Sequence, residues 1–203
     1  MKQNNPDHIK IIGLTGGVGS GKSTVAKLLQ KDFQARVIIA DEIGYMAMKP
    51  GEASYHKIID NFGTGILEGN HEINRQKLAD IVFRNDDKLK LLNSIIHPYV
   101  QTYVLQVIEE VNHDKSASCI VVESAILIEA GYQDICDEIW YVAVDDHIRR
   151  ERLKQNRGYS EEKIDSIVKK QMAESEYIQY ATRIIYNNGD VEGIYKQLEL
   201  LLV

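Results

Sequence analysis

The most regular feature of the chain is a set of short, almost wholly apolar, β-branched runs at residues 9–14, 37–40, 120–122, 139–144 and 183–186. Their apolarity is continuous rather than alternating, which marks strands covered on both faces and therefore a parallel sheet. Patterns with helical period fall between them, at residues 23–32, 53–61, 75–84, 86–96, 98–111 and 145–155. Strands alternating with helices predict an α/β fold: a five-stranded parallel sheet flanked by helices.

The spacing is uneven. About eighty residues separate the second and third runs, far more than a crossover helix needs. This stretch opens after the turn signal Lys49-Pro50-Gly51 and reads largely as helices, with Pro98 expected in the first turn of the last one. It is expected to be a substrate-binding insertion. A second irregularity follows the fourth run, where residues 156–159 break a helix and Ser160 restarts it as an N-cap, with Glu161 and Glu162 in the first turn. A helix–break–helix unit is a candidate mobile lid. The expected organisation is a core of residues 1–49, 113–145 and 181–203, an insertion of 50–112 and a lid of 146–180.

Between the first strand and the first helix lies Gly16-Gly17-Val18-Gly19-Ser20-Gly21-Lys22-Ser23, which fits G-x-x-x-x-G-K-[ST]. Glycines let successive N–H groups converge on phosphate oxygens where Cβ atoms would obstruct, and the following helix adds its positive N-terminal end. The expectation is that Gly17, Val18, Gly19, Ser20, Gly21, Lys22, Ser23 and Thr24 hold a nucleoside triphosphate. Lys22 would sit on the β/γ-phosphates and the Ser23 hydroxyl on Mg²⁺. The competing reading is a glycine-rich turn without a ligand.

Ligands of open α/β sheets bind beyond the carboxyl ends of the strands. Two apolar runs end there in acids, Asp41-Glu42 and Glu123, with Glu129 a little further on. Asp41 is the candidate base for an attacking hydroxyl, against a turn-capping role. Glu123 is a candidate for the metal or the substrate, against a strand-end turn acid. The segment from His147 to Arg157 carries Arg149, Arg150, Arg152 and Arg157. One reading is a solvated face with Glu151 as counter-ion. The other is a lid that offers Arg157 and Arg149 to phosphate oxygens.

Composition narrows the field. The chain has 203 residues, with 24 Lys+Arg against 30 Asp+Glu for a net charge of −6, which argues against nucleic acid held by bulk charge. The six histidines show no metal-ligand spacing, and the two cysteines, Cys119 and Cys136, form no CxxC pair. Residues 1–10 are polar and read as no leader, and no apolar run is long enough to span a membrane. A cytoplasmic protein is expected. Asp41-Glu42-Ile43-Gly44 fits the D-x-x-G of GTPases, but no N-K-x-D segment accompanies it.

The ordered set of motifs resembles the dephospho-CoA kinases. It comprises Gly13 to Thr24, Ala40-Asp41-Glu42-Ile43, Phe62-Gly63, Ile73-Asn74-Arg75, Leu78, Val82-Phe83, Ile95-Ile96-His97-Pro98, Gln171-Met172 and Asn187-Asn188-Gly189. Ala125-Ile126-Leu127-Ile128-Glu129 lacks the family's proline, Ala181-Thr182 stands where the family favours Ala-Asp, and the lid arginine is offset by one residue. The resemblance implies a P-loop NTPase fold with a helical CoA-substrate domain and a helical lid. It implies transfer of the γ-phosphate of ATP to the ribose 3′-hydroxyl of dephospho-CoA. ATP would be held by the loop with Arg149, Arg157 and Asn187, with Asp41, Lys22 and Arg157 catalytic. Asp41, Arg75, His97 and Glu129 would contact the acceptor, and Ser23 the Mg²⁺. The expected partners are ATP and dephospho-CoA, with no nucleic acid or membrane, the protein acting as a monomer or weak homo-oligomer. Another small hydroxyl acceptor is the main alternative.

Overall fold

The computed structural model describes residues 8–202. Most of the N-terminal segment read above as lacking a leader (residues 1–7), together with Val203, lies outside the described residues. The chain divides into two compact units, one formed by residues up to Ile38 with those from Glu110 onward, the other by Ile39–Glu109.

The first unit is built on five strands: β1 (Ile11–Thr15), β2 (Arg36–Ile39), β3 (Ile120–Glu123), β4 (Glu138–Ala143) and β5 (Arg183–Tyr186). They lie in the order β2-β3-β1-β4-β5, and β1 pairs in parallel with both β3 and β4, as β4 does with β5. Burial on both faces holds for the three central strands; β2 and β5 are edges with exposed positions. On one face Ile12, Leu14, Val121, Trp140, Val142 and Ile185 pack against Val25, Ala26 and Leu29 of α1 (Lys22–Asp32) and Ile194 and Leu198 of α9 (Val191–Leu202). Cys119 belongs to this core, as a small apolar side chain would.

Gly13 points to the opposite face from Ile12 and Leu14. A Cβ there would stand 2.9 Å from both Cys136 Sγ and Leu127 Cδ1, so the segment after β3 packs down only because position 13 is glycine. On that face Tyr141 stacks on Tyr177 of α8 (Glu174–Tyr180), with centroids 5.0 Å apart. Burial pushes both phenols up to about 12.

Helix α6 (Asp146–Arg157) runs two residues beyond its expected end, and Gly158, at φ 62°, closes it by donating its N–H to the carbonyls of Leu153 and Lys154. Ser160 then caps α7 (Glu161–Lys170) by accepting from the Lys163 N–H, as expected. Arg150 joins Asp146 at 2.6 Å, Glu161 at 3.0 Å and Asp165 at 2.7 Å, and Lys154 pairs with Glu161. These acids, rather than Glu151, are the counter-ions of the basic segment, because they project from the face where α6 meets α7.

The second unit holds α2 (Ala40–Met46), α3 (Ala53–Phe62), α4 (Arg75–Phe83) and most of α5 (Asp86–Asp114) around Tyr55, Ile58, Ile66, Ile73, Leu78 and Leu92. Two expectations are corrected here. The second strand ends at Ile39, and Ala40 and Asp41 already belong to α2. Asp41 and Glu42 in its first turn favour this start through the helix dipole. Residues 86–96 and 98–111 form one helix, with Pro98 inside it. The proline removes one donor and costs about 3 kcal/mol, but apolar residues on both sides of it, Leu92 and Val100, Val104 and Val107, are buried and offset that cost.

Candidate active site

The turn between β1 and α1 is shaped by Gly16 (φ +148°), Gly19 (φ +84°) and Gly21 (φ +96°), which need backbone conformations that L residues avoid. Gly21 occupies the N-cap of α1, where no side chain satisfies the first N–H groups of the helix. This matches a cradle for an anion. The Lys22 ammonium is buried and donates to the carbonyls of Gly16 at 2.8 Å and Gly17 at 3.3 Å, which anchors a positive charge on the loop. Ser23, one residue on, donates its hydroxyl to Glu123 Oε1 at 3.4 Å. Glu123 ends β3 beside Leu14 of β1, so strand register brings the two together across 100 residues.

Three elements remote in sequence hold the loop. Gln171, just after α7, accepts the Val18 N–H at 3.2 Å. Asn187, just after β5, is buried and donates its amide to the Ser20 carbonyl at 2.7 Å. Arg152 in turn donates to the Asn187 carbonyl at 2.9 Å. Arg149, braced by Asp146 at 2.5 Å, lies against Gly17 and Gly19, and Leu153 packs on Gly19. A Cβ on Gly17 would come within 3.1 Å of Arg149 Nη1 and 3.2 Å of Gln171 Oε1; one on Gly21 would come within 1.9 Å of Asn187 Nδ2. The loop glycines therefore admit protein side chains as closely as they would admit phosphate.

The other expected residues are placed as follows. Arg157 is the exposed last residue of α6, and among the described residues it makes no hydrogen bond or ion pair. It takes no part in the contacts Arg149 makes with the loop. Glu129 lies exposed in the turns after β3, near enough to Tyr177 for its charge to disfavour the phenolate. In the second unit, Asp41 is exposed in the first turn of α2. Arg75 opens α4, with its guanidinium carbon 4.4 Å from the centre of the Tyr45 ring, and lines a cleft of about 700 Å³. His97 is half-buried in the middle of α5, which pushes its imidazole below the ordinary pKa. It lines neither the Arg75 cleft nor a second one of about 500 Å³ between α3 and α5.

Gln171 and Arg152 are the site residues that spacing alone misses. Gln171 belonged to the family-like pattern, but no local signal says that its amide reaches back 153 residues to the loop. Among the described residues no cluster of three or more His, Cys, Asp or Glu could hold a metal. The Ser23 hydroxyl and Glu123 carboxylate together offer oxygen donors next to Lys22. That donor set fits Mg²⁺, which takes few protein ligands and completes its shell with water and phosphate.

A protein-family model described as dephospho-CoA kinase (CoaE) matches residues 10–193. The dephospho-CoA kinase of Carboxydothermus hydrogenoformans is 38% identical over 194 residues, covering 96% of this chain and 93% of that one. Among solved structures, TT1252 from Thermus thermophilus superposes with a TM-score of 0.81 at 28% identity, over 96% of this chain and 97% of that one. A dephospho-CoA kinase from Campylobacter jejuni shares the fold at a TM-score of 0.68 and 21% identity, over 94% and 96%.

Proposed function

The chain belongs to the dephospho-CoA kinase family, and from that premise we propose a division of labour among its residues in the reaction. The enzyme phosphorylates dephospho-CoA at the expense of ATP, the last step in making coenzyme A. The observation that carries the assignment of roles is the loop at Gly16–Thr24, with Lys22 anchored on it, Ser23 joined to Glu123, and Arg149 lying across Gly17 and Gly19.

The γ-phosphoryl group passes to the ribose 3′-hydroxyl. The backbone of Gly17, Val18, Gly19, Ser20, Gly21 and Thr24 and the Lys22 ammonium hold the phosphates, while Asn187 keeps the loop in shape through Ser20. Ser23 and Glu123 would hold Mg²⁺, which when bound would supply positive charge to neutralise the triphosphate. Asp41 accepts the hydroxyl proton. Arg149 spreads positive charge over the transferring group, and Arg157 joins it when the lid closes. The transition state is loose, so placement and charge count for more than base strength. Arg75, His97 and Glu129 contact the acceptor. Residues 50–112 are its domain and 146–180 the lid, on a core of 1–49, 113–145 and 181–203.

We place this activity in the cytoplasm, in a monomer or weak homo-oligomer. Two free, buried cysteines suit a reducing compartment, and no helix among the described residues is long and apolar enough to cross a membrane. The direct test is to incubate the protein with ATP, Mg²⁺ and dephospho-CoA and to follow coenzyme A and ADP. Equal ADP release with and without dephospho-CoA, and no coenzyme A, would refute the reading.

A further inference from the structure

Two arginines of α6 share one carboxylate. Asp146 stands in the first turn of the helix, and Arg149 and Arg150 follow it by three and four residues, the two spacings that put side chains on a common face. Asp146 Oδ1 accepts from Arg149 Nη2 at 2.5 Å, and Oδ2 accepts from Arg150 Nε at 2.6 Å. From there the arginines diverge. Arg149 lies over the phosphate loop, with Cγ 3.2 Å from where a Cβ of Gly19 would stand and Nη1 3.1 Å from where one of Gly17 would stand. Arg150 reaches Glu161 at 3.0 Å and Asp165 at 2.7 Å, both on α7. Hydrogen bonds from Arg150 and Arg149 hold the Asp146 carboxyl below the ordinary carboxylate range, which keeps it ionised at neutral pH. Arg149 Nε is buried and, among the described residues, has no hydrogen-bond partner. A buried charged donor beside a phosphate-binding turn is suited to a phosphate oxygen.

We propose that Asp146 is a positioning residue for phosphoryl transfer. One of its oxygens aims the Arg149 guanidinium across the loop, and the other makes that pose depend on α7 through Arg150. The inference rests on the reading of Arg149 as the group that spreads charge over the transferring phosphoryl. A long side chain has many rotamers, and its charge helps a transition state only within a narrow range of positions. The bare α-carbon of Gly19 gives room to the stem of Arg149, but among the described residues Asp146 alone bonds its head. The neighbouring Asp145 is already engaged: Asn188 bonds its N–H at 2.8 Å and its carboxylate at 2.9 Å. The Asp146 side chain is 56% exposed, and ion pairs so exposed add little to stability. Its loss is therefore felt in the aim of Arg149 rather than in folding.

The test measures kcat and the KM values for ATP and dephospho-CoA in wild type, Asp146→Asn, Asp146→Glu, Arg149→Gln, Arg150→Gln and the double variant Asp146→Asn with Arg149→Gln. Melting temperatures check that each folds. Arg149→Gln removes a charged donor from the transferring group and should lower kcat about 10²-fold. Asp146→Asn leaves Arg149 present but poorly aimed, and should lower kcat about tenfold with both KM values moved less than about threefold. Asp146→Glu, which keeps the carboxylate, should recover kcat to within about threefold of wild type. Arg150→Gln frees the carboxylate from α7 and should lower kcat about threefold. In the Arg149→Gln background, Asp146→Asn should cost less than about twofold, because it acts through the missing arginine. A tenfold cost that persists in that background, or a wild-type kcat in Asp146→Asn alone, overturns the positioning role. A wild-type kcat in Arg150→Gln overturns the link to α7. A wild-type kcat in Arg149→Gln overturns the underlying reading of Arg149 instead.

Discussion

Gly21→Ala probes the joint between the phosphate loop and the far end of the chain. The added methyl carries two separable costs. At φ +96° an L residue is strained by about 1–2 kcal/mol. Its Cβ would also stand 1.9 Å from Asn187 Nδ2, an overlap relieved only by moving the amide. Asn187 is buried and held at both ends, by Ser20 and by Arg152, so moving it breaks the 2.7 Å bond to the Ser20 carbonyl. A buried acceptor left without its partner costs about 1–3 kcal/mol. The sum is about 2–5 kcal/mol, a large share of a domain's net stability. In an Asn187→Ala background the second cost has already been incurred, and Gly21→Ala should add only the strain, about 1–2 kcal/mol. Any entropic gain from removing a glycine is common to both backgrounds and cancels in the cycle. Equilibrium urea unfolding followed by the fluorescence of Trp140, buried in the core and the single tryptophan, measures all four variants. A cost of Gly21→Ala that is the same in both backgrounds to within about 0.5 kcal/mol would refute the clash and leave backbone strain alone.

Asp41→Asn should lower kcat about 10²-fold or more while ATP binding stays nearly unchanged; near-normal turnover removes Asp41 from the base role. Gln171→Met keeps length and bulk but cannot accept the Val18 N–H, and the KM for ATP should rise about threefold to tenfold with little change in melting temperature. An unchanged KM would make Gln171 mere packing. For His97, burial lowers the folded-state pKa below the ordinary 6.5, so its neutral form is favoured in the fold. The associated stability is fully present above 6.5 and is lost as pH falls through the lowered value. Between pH 7.5 and 5.5 the wild type should therefore lose more melting temperature than His97→Gln; parallel losses would contradict the sign.

The five strands, the phosphate loop and the presence of a helical insertion were legible in the chain because each is a local property. A doubly buried strand must be apolar throughout, and a loop that turns through left-handed φ needs glycine at set places. What the chain could not reveal were the outcomes settled by burial at a distance. Pro98 reads as a helix start, and α5 runs through it because apolar side chains on both sides are packed. Asp41 reads as a strand end, yet it opens a helix. Glu151 reads as the counter-ion of its own helix, while Arg150 turns to Glu161 and Asp165 of the next one. The glycines of the loop are the sharpest case. Their pattern predicts contact with phosphate from sequence alone. Only the fold shows that the same bare α-carbons also receive Arg149, Gln171, Leu153 and Asn187, because side chains more than a hundred residues away pack there.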